Sequence, residues 1–158
     1  MVTLKIEDKD VSKLFSKVPD WFQKILKDSA GDKLCSGKLI DRVSGFEDLL
    51  QEASFKTQAD YYRSIQGDRS PDEIANAKIK LVSSVAWESI GKTVDWKDSS
   101  QKKYWPRFIM APVFRFGLSG CDYGLSISGA GSRLSFPLEE MSDFFGKLLI
   151  DIYKDLQN

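Results

Sequence analysis

Histidine is missing from this chain. Its absence removes Ser-His-Asp and Cys-His nucleophile pairs, imidazole general bases and imidazole metal ligands. Cysteine is nearly missing too. Cys35 and Cys121 are too few for a disulfide framework, and with no signal peptide they fit a reducing, cytoplasmic setting. No apolar run approaches the roughly 18 residues that a membrane helix needs, so no membrane association is expected. Net charge is also absent, with 23 basic against 23 acidic side chains. The whole molecule therefore exerts no pull on nucleic acid or anionic lipid, and only a local patch can supply one. Carboxylates alone can hold Mg²⁺ or Ca²⁺, but no EF-hand-like spacing occurs. No metal, cofactor or catalytic residue is expected, and the chain reads as a non-enzyme.

Two short motifs need weighing against that. Gly129-Ala130-Gly131-Ser132-Arg133 has the glycines of a phosphate loop but not its lysine, and a strand is expected to follow it rather than a helix. It reads as a hairpin turn. Ser119, Cys121 and Asp122 share a turn, but a thiol without histidine needs another activator, such as a helix N-terminus or a lysine.

What is present is a chain of 158 residues, long enough for one domain that buries about 70% of its unfolded surface. Residue types shift from helix-forming before Gly91 to strand-forming after Lys102. The expected fold is a single α+β domain. N-terminal helices (1–37, an extension) precede a core (38–158) in which a small antiparallel meander packs on a long central helix and a C-terminal helix.

In chain order, Val2, Leu4 and Ile6 alternate as a short edge strand. Asp10 is placed to cap a helix with Leu14, Phe15 and Val18 on one face. Pro19 starts a second helix whose Trp21, Phe22, Ile25 and Leu26 are read as core contacts or as a partner-binding amphipathic arm. Lys38–Val43 is a strand or a connector. Ser44 and Glu47 have capping-box spacing ahead of Phe46, Leu49 and Leu50. Thr57 is read as the cap of a further helix carrying Tyr61 and Tyr62, which either pack or form an exposed stacking surface. The strongest local signal is Ser70-Pro71-Asp72-Glu73: N-cap, proline at N1 and glutamate at N3. It opens a helix to about Ile90 with Gly91 beyond its end, and Ile74, Ala77, Leu81, Val85 and Trp87 give it a face for the sheet.

Lys103–Phe136 carries most of the strand-like alternation. Tyr104, Phe108 and Met110 share one face of a first strand, and Trp105, Arg107 and Ile109 share the other. Pro106 argues for an edge or a bulge. Phe114, Phe116 and Leu118 lie on a second strand. Ser119-Gly120 is read as a turn, Tyr123–Ile127 as a third strand, and Arg133–Phe136 as the last. Leu138 to Leu156 has helical spacing throughout, with Gly146 at a close crossing.

Charge is uneven along this half. Between Lys102 and Phe136 five basic residues face one acid, Asp122. Alternating arginines and rings on a sheet are the parts of a single-stranded nucleic-acid platform, in which rings stack bases and cations hold phosphates. The expected ligand-binding residues are Lys102, Lys103, Tyr104, Trp105, Arg107, Arg115 and Arg133. The alternative is a solvated outer face, or a surface around Trp96 and Trp105 that docks a host protein. Trp96, in the polar loop Lys92–Gln101, is read as a lid on the core or as a stacking residue.

The runs V-D-W-K-D-S-S-Q-K-K-Y-W-P-R-F-I-M, F-R-F-G, G-S-R-L-S-F and F-F-G-K-L-L-I-D-I-Y-K-D, with F-E-D-L-L upstream, resemble a family of small proteins. Phages, prophages and other mobile elements of gut bacteria encode them. The likeness covers Lys38 to Asn158. Two positions depart from the pattern: Arg107 stands where an aromatic is common, and Ser135 where Cys is frequent. The resemblance implies a mobile-element setting in a bacterial host; inhibition of a host defence factor is what the alternative docking surface around Trp96 and Trp105 would serve. The resemblance implies no activity, cofactor or catalytic residue.

Overall fold

A computed structural model describes residues 11, 14–15, 18–31, 35, 38–111, 115–124 and 134–156, with the side chains of 109–111 and 115–119 excepted. The expected strand at 2–6, the Asp10 cap, the strand over 125–127, the 128–132 turn and Arg133 lie outside the described residues. Backbone contacts cluster into two compact units, Met1–Val43 and Ser44–Asn158.

In the first unit, helix α1 (Asp20–Ala30) follows Pro19, whose carbonyl accepts from Phe22 N and Gln23 N. Gly31, at φ +85°, ends it. Val11, Leu26 and Cys35 form a small core against which Phe15, Val18, Phe22 and Ala30 pack. Trp21 and Ile25 are exposed, not core contacts. On a helix, 21 and 25 lie about 100° round from 22 and 26, and only the second pair meets the cluster. Residues Leu39–Arg42, expected as a strand or a connector, form a single-turn helix, α2.

The second unit begins with α3 (Phe46–Glu52) and α4 (Phe55–Ser64). Ser44 does meet a carboxylate, but it is that of Asp48, 2.7 Å from both the Ser44 amide and its hydroxyl. Gly45 occupies the cap position and has no side chain to cap with, so the expected box is replaced by Asp48 holding Ser44, the residue before the cap. Helix α5 (Pro71–Ser89) starts and stops where its local signals say. Ser70 N donates to Glu73 Oε2 at 3.1 Å, and Gly91, at φ +67°, follows the last turn.

The Ser70 amide, aided by the Arg69 charge, holds the Glu73 carboxyl below the usual glutamate range. A depressed folded-state value adds stability above the unfolded value, and that stability is lost as pH falls through the folded one. Glu73→Gln should therefore melt below wild type at neutral pH. The two melting curves should converge on acidification; a gap that persists in acid would show that the carboxylate is not its source.

Strands β1 (Lys103–Ala111) and β2 (Arg115–Gly124) pair antiparallel. The expected turn at Ser119-Gly120 is instead a β-bulge inside a continuous strand. Arg107 pairs with Gly120 and Phe108 with Leu118, leaving Ser119 without a partner, and Gly120 takes φ +136°. A left-handed φ suits glycine in a bulge as well as in a turn, so local sequence does not separate the two. On the other edge of β1, Tyr104 and Phe136 exchange both backbone hydrogen bonds. Pro106 is two residues on and its nitrogen points to that same edge. It has no proton to donate, so the ladder cannot extend there.

Helix α6 (Glu139–Leu148) lies across both strands, and α7 (Ile150–Asp155) reaches β2 and α5. The expected continuous C-terminal helix is broken at Leu149 (φ −111°, ψ 26°). The break lets Phe145 stack on buried Phe136 (5.3 Å) while Tyr153 meets Phe108 (4.8 Å). Helix α5 was expected against the sheet, but its main neighbours are α3, α4 and α7. Its direct hold on the strand region is the carbonyl of Ser135, which accepts from Ser83 Oγ and from Trp87 Nε1 (2.9 Å). The fold is α+β: helices with a small hairpin packed on them. Among the described residues no helix is long and apolar enough to cross a membrane.

Candidate binding surfaces

Register decides which face of the hairpin each side chain takes. Phe108 meets Tyr153, and the Cys121 thiol lies near Asp143 and Glu139, so this face looks toward the C-terminal helices. Burial first, then the charges of Asp143 and Glu139, push the Cys121 thiol up. It is thus held as a thiol, the opposite of an activated nucleophile. Trp105 and Arg107, of opposite parity, take the outer face as expected.

The chemistry of that outer face differs from the expected one. Arg107 Nη1 is 3.1 Å from Asp122 Oδ1, so its exposed guanidinium already has a carboxylate beside it. Trp105 is half-buried, its ring lying over Gly124. A Cβ on that glycine would fall 2.9 Å from Cη2. Arg115 pairs through its backbone with Ala111 at the hairpin end, and its side chain is outside the described residues.

Lys103 was expected to contact phosphate, but it is buried, with 1% of its surface accessible. Parity alone sets it beside Trp105, but the 92–102 loop folds back over it. Asp98 organises that loop by accepting from Ser100 N (2.8 Å) and Ser100 Oγ (2.6 Å). The Gln101 side chain spans it, accepting from Asp95 N and donating to Thr93 O. Lys103 Nζ then donates to the carbonyls of Asp98 (3.1 Å) and Gln101 (2.9 Å) and sits 5.4 Å from the centre of the Trp96 ring. Trp96 is half-buried as the lid of this ammonium, not an open docking ring. The Ser100 hydroxyl and amide, and further off the Lys103 charge, hold the Asp98 carboxyl below its usual range.

At the open end of the hairpin, Lys102 Nζ lies 5.2 Å from the Tyr123 ring, and Tyr104 is 6.0 Å from that ring. Tyr123 is 59% exposed. Lys102 and Tyr104 are thus brought together, with Tyr123 as a partner that the sequence reading placed only on a strand.

A second surface lies on α4. Its N-cap is Ser54, not Thr57: the Ser54 side chain accepts from Thr57 N at 3.2 Å. Glu88 of α5 reaches across to this end. Its carboxylate accepts from Ser54 N (3.2 Å), Ser54 Oγ (3.1 Å) and the Thr57 hydroxyl. Such a carboxylate suits the positive end of a helix dipole. Gln58 Nε2 donates to the carbonyls of Leu50 and Ala53, and buried Tyr61 packs on Phe46 at 5.5 Å. The inner face is thereby pinned at three points.

The outer face holds Phe55, 87% exposed, and Tyr62, 50% exposed, with half-buried Ala59 between them. Of the two tyrosines, Tyr61 packs and Tyr62 is on the surface. Phe55 is not legible from a helix capped at Thr57, which leaves it out. A start at Ser54 aligns it with Tyr62 at i, i+7. On the other flank, a groove of about 130 Å³ runs between α4 and α5, lined by Thr57, Asp60, Ser64, Lys80 and Ser84 over Tyr61.

Among the described residues no cluster of cysteine and carboxylate side chains is arranged to hold a metal ion. No protein-family model, curated protein or solved structure matches the chain.

Proposed function

We propose that this chain is a non-enzymatic accessory protein of a phage or other mobile element, working in the cytoplasm of a bacterial host. It acts by binding a host protein through the outer face of α4. One observation carries this reading: Phe55 and Tyr62 stand two turns apart on a helix whose opposite face is fixed by Glu88, Gln58 and Tyr61. Aromatic rings on a rigid element lose little freedom on binding, and such rings dominate interface energetics. The expected site at Trp96 and Trp105 is less apt, since both rings are half-buried where Phe55 and Tyr62 are exposed.

The test is capture from a lysate of a gut bacterium, comparing wild type with Phe55→Ala/Tyr62→Ala. Truncating two central rings should weaken the complex about 1,000-fold, at roughly 2 kcal/mol per ring. Circular dichroism and melting temperature should barely change, because exposed rings contribute little to folding. If every protein retained by wild type is retained equally by the double variant, the reading fails.

A second reading keeps single-stranded nucleic acid, on the strength of exposed Tyr123 beside Tyr104 and Lys102. It is weaker than the charge pattern suggested, because Lys103 is buried and Arg107 is paired, and backbone binding needs many phosphate contacts. Titration with a fluorescent single-stranded oligonucleotide at low and moderate salt decides it. The reading requires binding at low salt that weakens with added salt and drops several-fold in Tyr123→Ala. No binding at low salt eliminates it.

A further inference from the structure

We infer, resting on the protein-binding reading, that α4 is the inserted element of the complex: it enters an apolar groove on its partner. Phe55, Ala59 and Tyr62 follow the i, i+4, i+7 spacing by which amphipathic helices anchor in grooves. At 1.5 Å rise per residue the two ring-bearing positions are about 10 Å apart along the axis. Small Ala59 between them leaves a notch for one apolar side chain of the partner.

The surface is convex. A phenylalanine 87% exposed has almost nothing of its own chain beside it, so the walls of any pocket for that ring must come from the partner. A second copy of this chain is a poor occupant. A helix of 10 residues is about 15 Å long. One such face laid on its twin buries well under the roughly 1,200 Å² of a stable interface. A groove whose walls rise on both sides of the exposed stripe covers more of each ring than a second convex helix does.

Charge sets the rim. Lys56 and Arg63 stand on one flank of the stripe, and Arg63 already has Asp60 at 3.1 Å. Exposed Lys56 therefore gives that flank its sign, and the partner's rim there is acidic. The occupant is thus a protein with an apolar groove about 15 Å long, bordered by carboxylate on the Lys56 side. The helix arrives preformed, because Ser54 and Glu88 satisfy its first turn. Ordering cost on binding is correspondingly low.

The test places a photoreactive benzophenone amino acid singly at positions 55, 59, 60, 62 and 64 of the full chain, in lysate of a gut bacterium. Groove insertion predicts adducts with one and the same protein at 55, 59 and 62, and none at 60 and 64, which line the α4–α5 groove. Lys56→Glu should cut the position-55 adduct about tenfold, the effect of reversing one rim charge. Equal adducts at 60 and 64, adducts made only of this chain, or no effect of Lys56→Glu would each overturn the inference while leaving a partner in hand. If no position gives an adduct, the underlying reading fails and the inference with it.

Discussion

Lys103→Met is expected to lower the stability of the Ser44–Asn158 unit by about 3 kcal/mol, while Lys102→Met one residue away changes it by less than about 0.5 kcal/mol. Both lysines lie in the same polar-to-strand junction, and sequence offers no reason to separate them. Lys102 is exposed, and its ammonium lies near a ring in open solvent. Lys103 is enclosed, and its ammonium donates to two carbonyls of the 92–102 loop. Hydrogen bonds to a charged donor contribute about 1.5–3 kcal/mol each, and removing the donor leaves buried acceptors unsatisfied. Methionine keeps the stem and the ring contact but supplies no proton. The melting temperature should fall by roughly 10 °C, at about 2–4 °C per kcal/mol for a chain of this size. The loop should also become more sensitive to proteolysis near Trp96. Equal stability of the two variants in urea denaturation would show that Lys103 anchors nothing.

Trp87→Ala should cost about 4 kcal/mol, within the range for emptying a buried aromatic site. The ring is almost wholly buried on α5, and its Nε1–H is one of two donors to the Ser135 carbonyl. That carbonyl belongs to the residue before Phe136, which bridges β1 and stacks on Phe145. Two effects can be separated. Trp87→Phe retains most of the apolar volume and should cost about 1–2 kcal/mol. Ser83→Ala alone should be mild, because Trp87 still serves the carbonyl. Combined with Trp87→Phe it leaves a buried acceptor without a partner, so the double variant should exceed the sum of the singles. Strict additivity in denaturant would mean that the shared carbonyl does not couple them.

Both experiments bear on how the binding surfaces are held. The Lys103 anchor fixes the start of β1, and the Ser135 carbonyl fixes the segment that pairs with it. Helix α4 is tied to α5 through Glu88, so the exposed Phe55–Tyr62 face inherits the rigidity of the most buried helix in the unit.

The parts legible in the chain were those specified within a few residues. Ser70, Pro71 and Glu73 announce α5, and Gly91 ends it, because capping is chemistry between neighbours. The change from helical to strand periodicity gave the α+β class, and alternation put Trp105 and Arg107 on one face. Where two nearby groups compete for one role, adjacency was not enough. Asp48 rather than Glu47 meets Ser44, and Ser54 rather than Thr57 caps α4. In the second case the decisive partner, Glu88, is remote in the chain.

What the order of residues determined alone is therefore the α+β class, the caps of the central helix and the absence of imidazole chemistry. Tertiary contacts decided everything about exposure: Lys103 is sealed beneath a returning loop, Arg107 sits beside Asp122 on the next strand, and Phe55 stands in solvent. The reason is physical. Helix and strand signals are carried by hydrogen bonds and torsions a few residues apart. Whether a charge or a ring meets water depends on which distant segment closes over it.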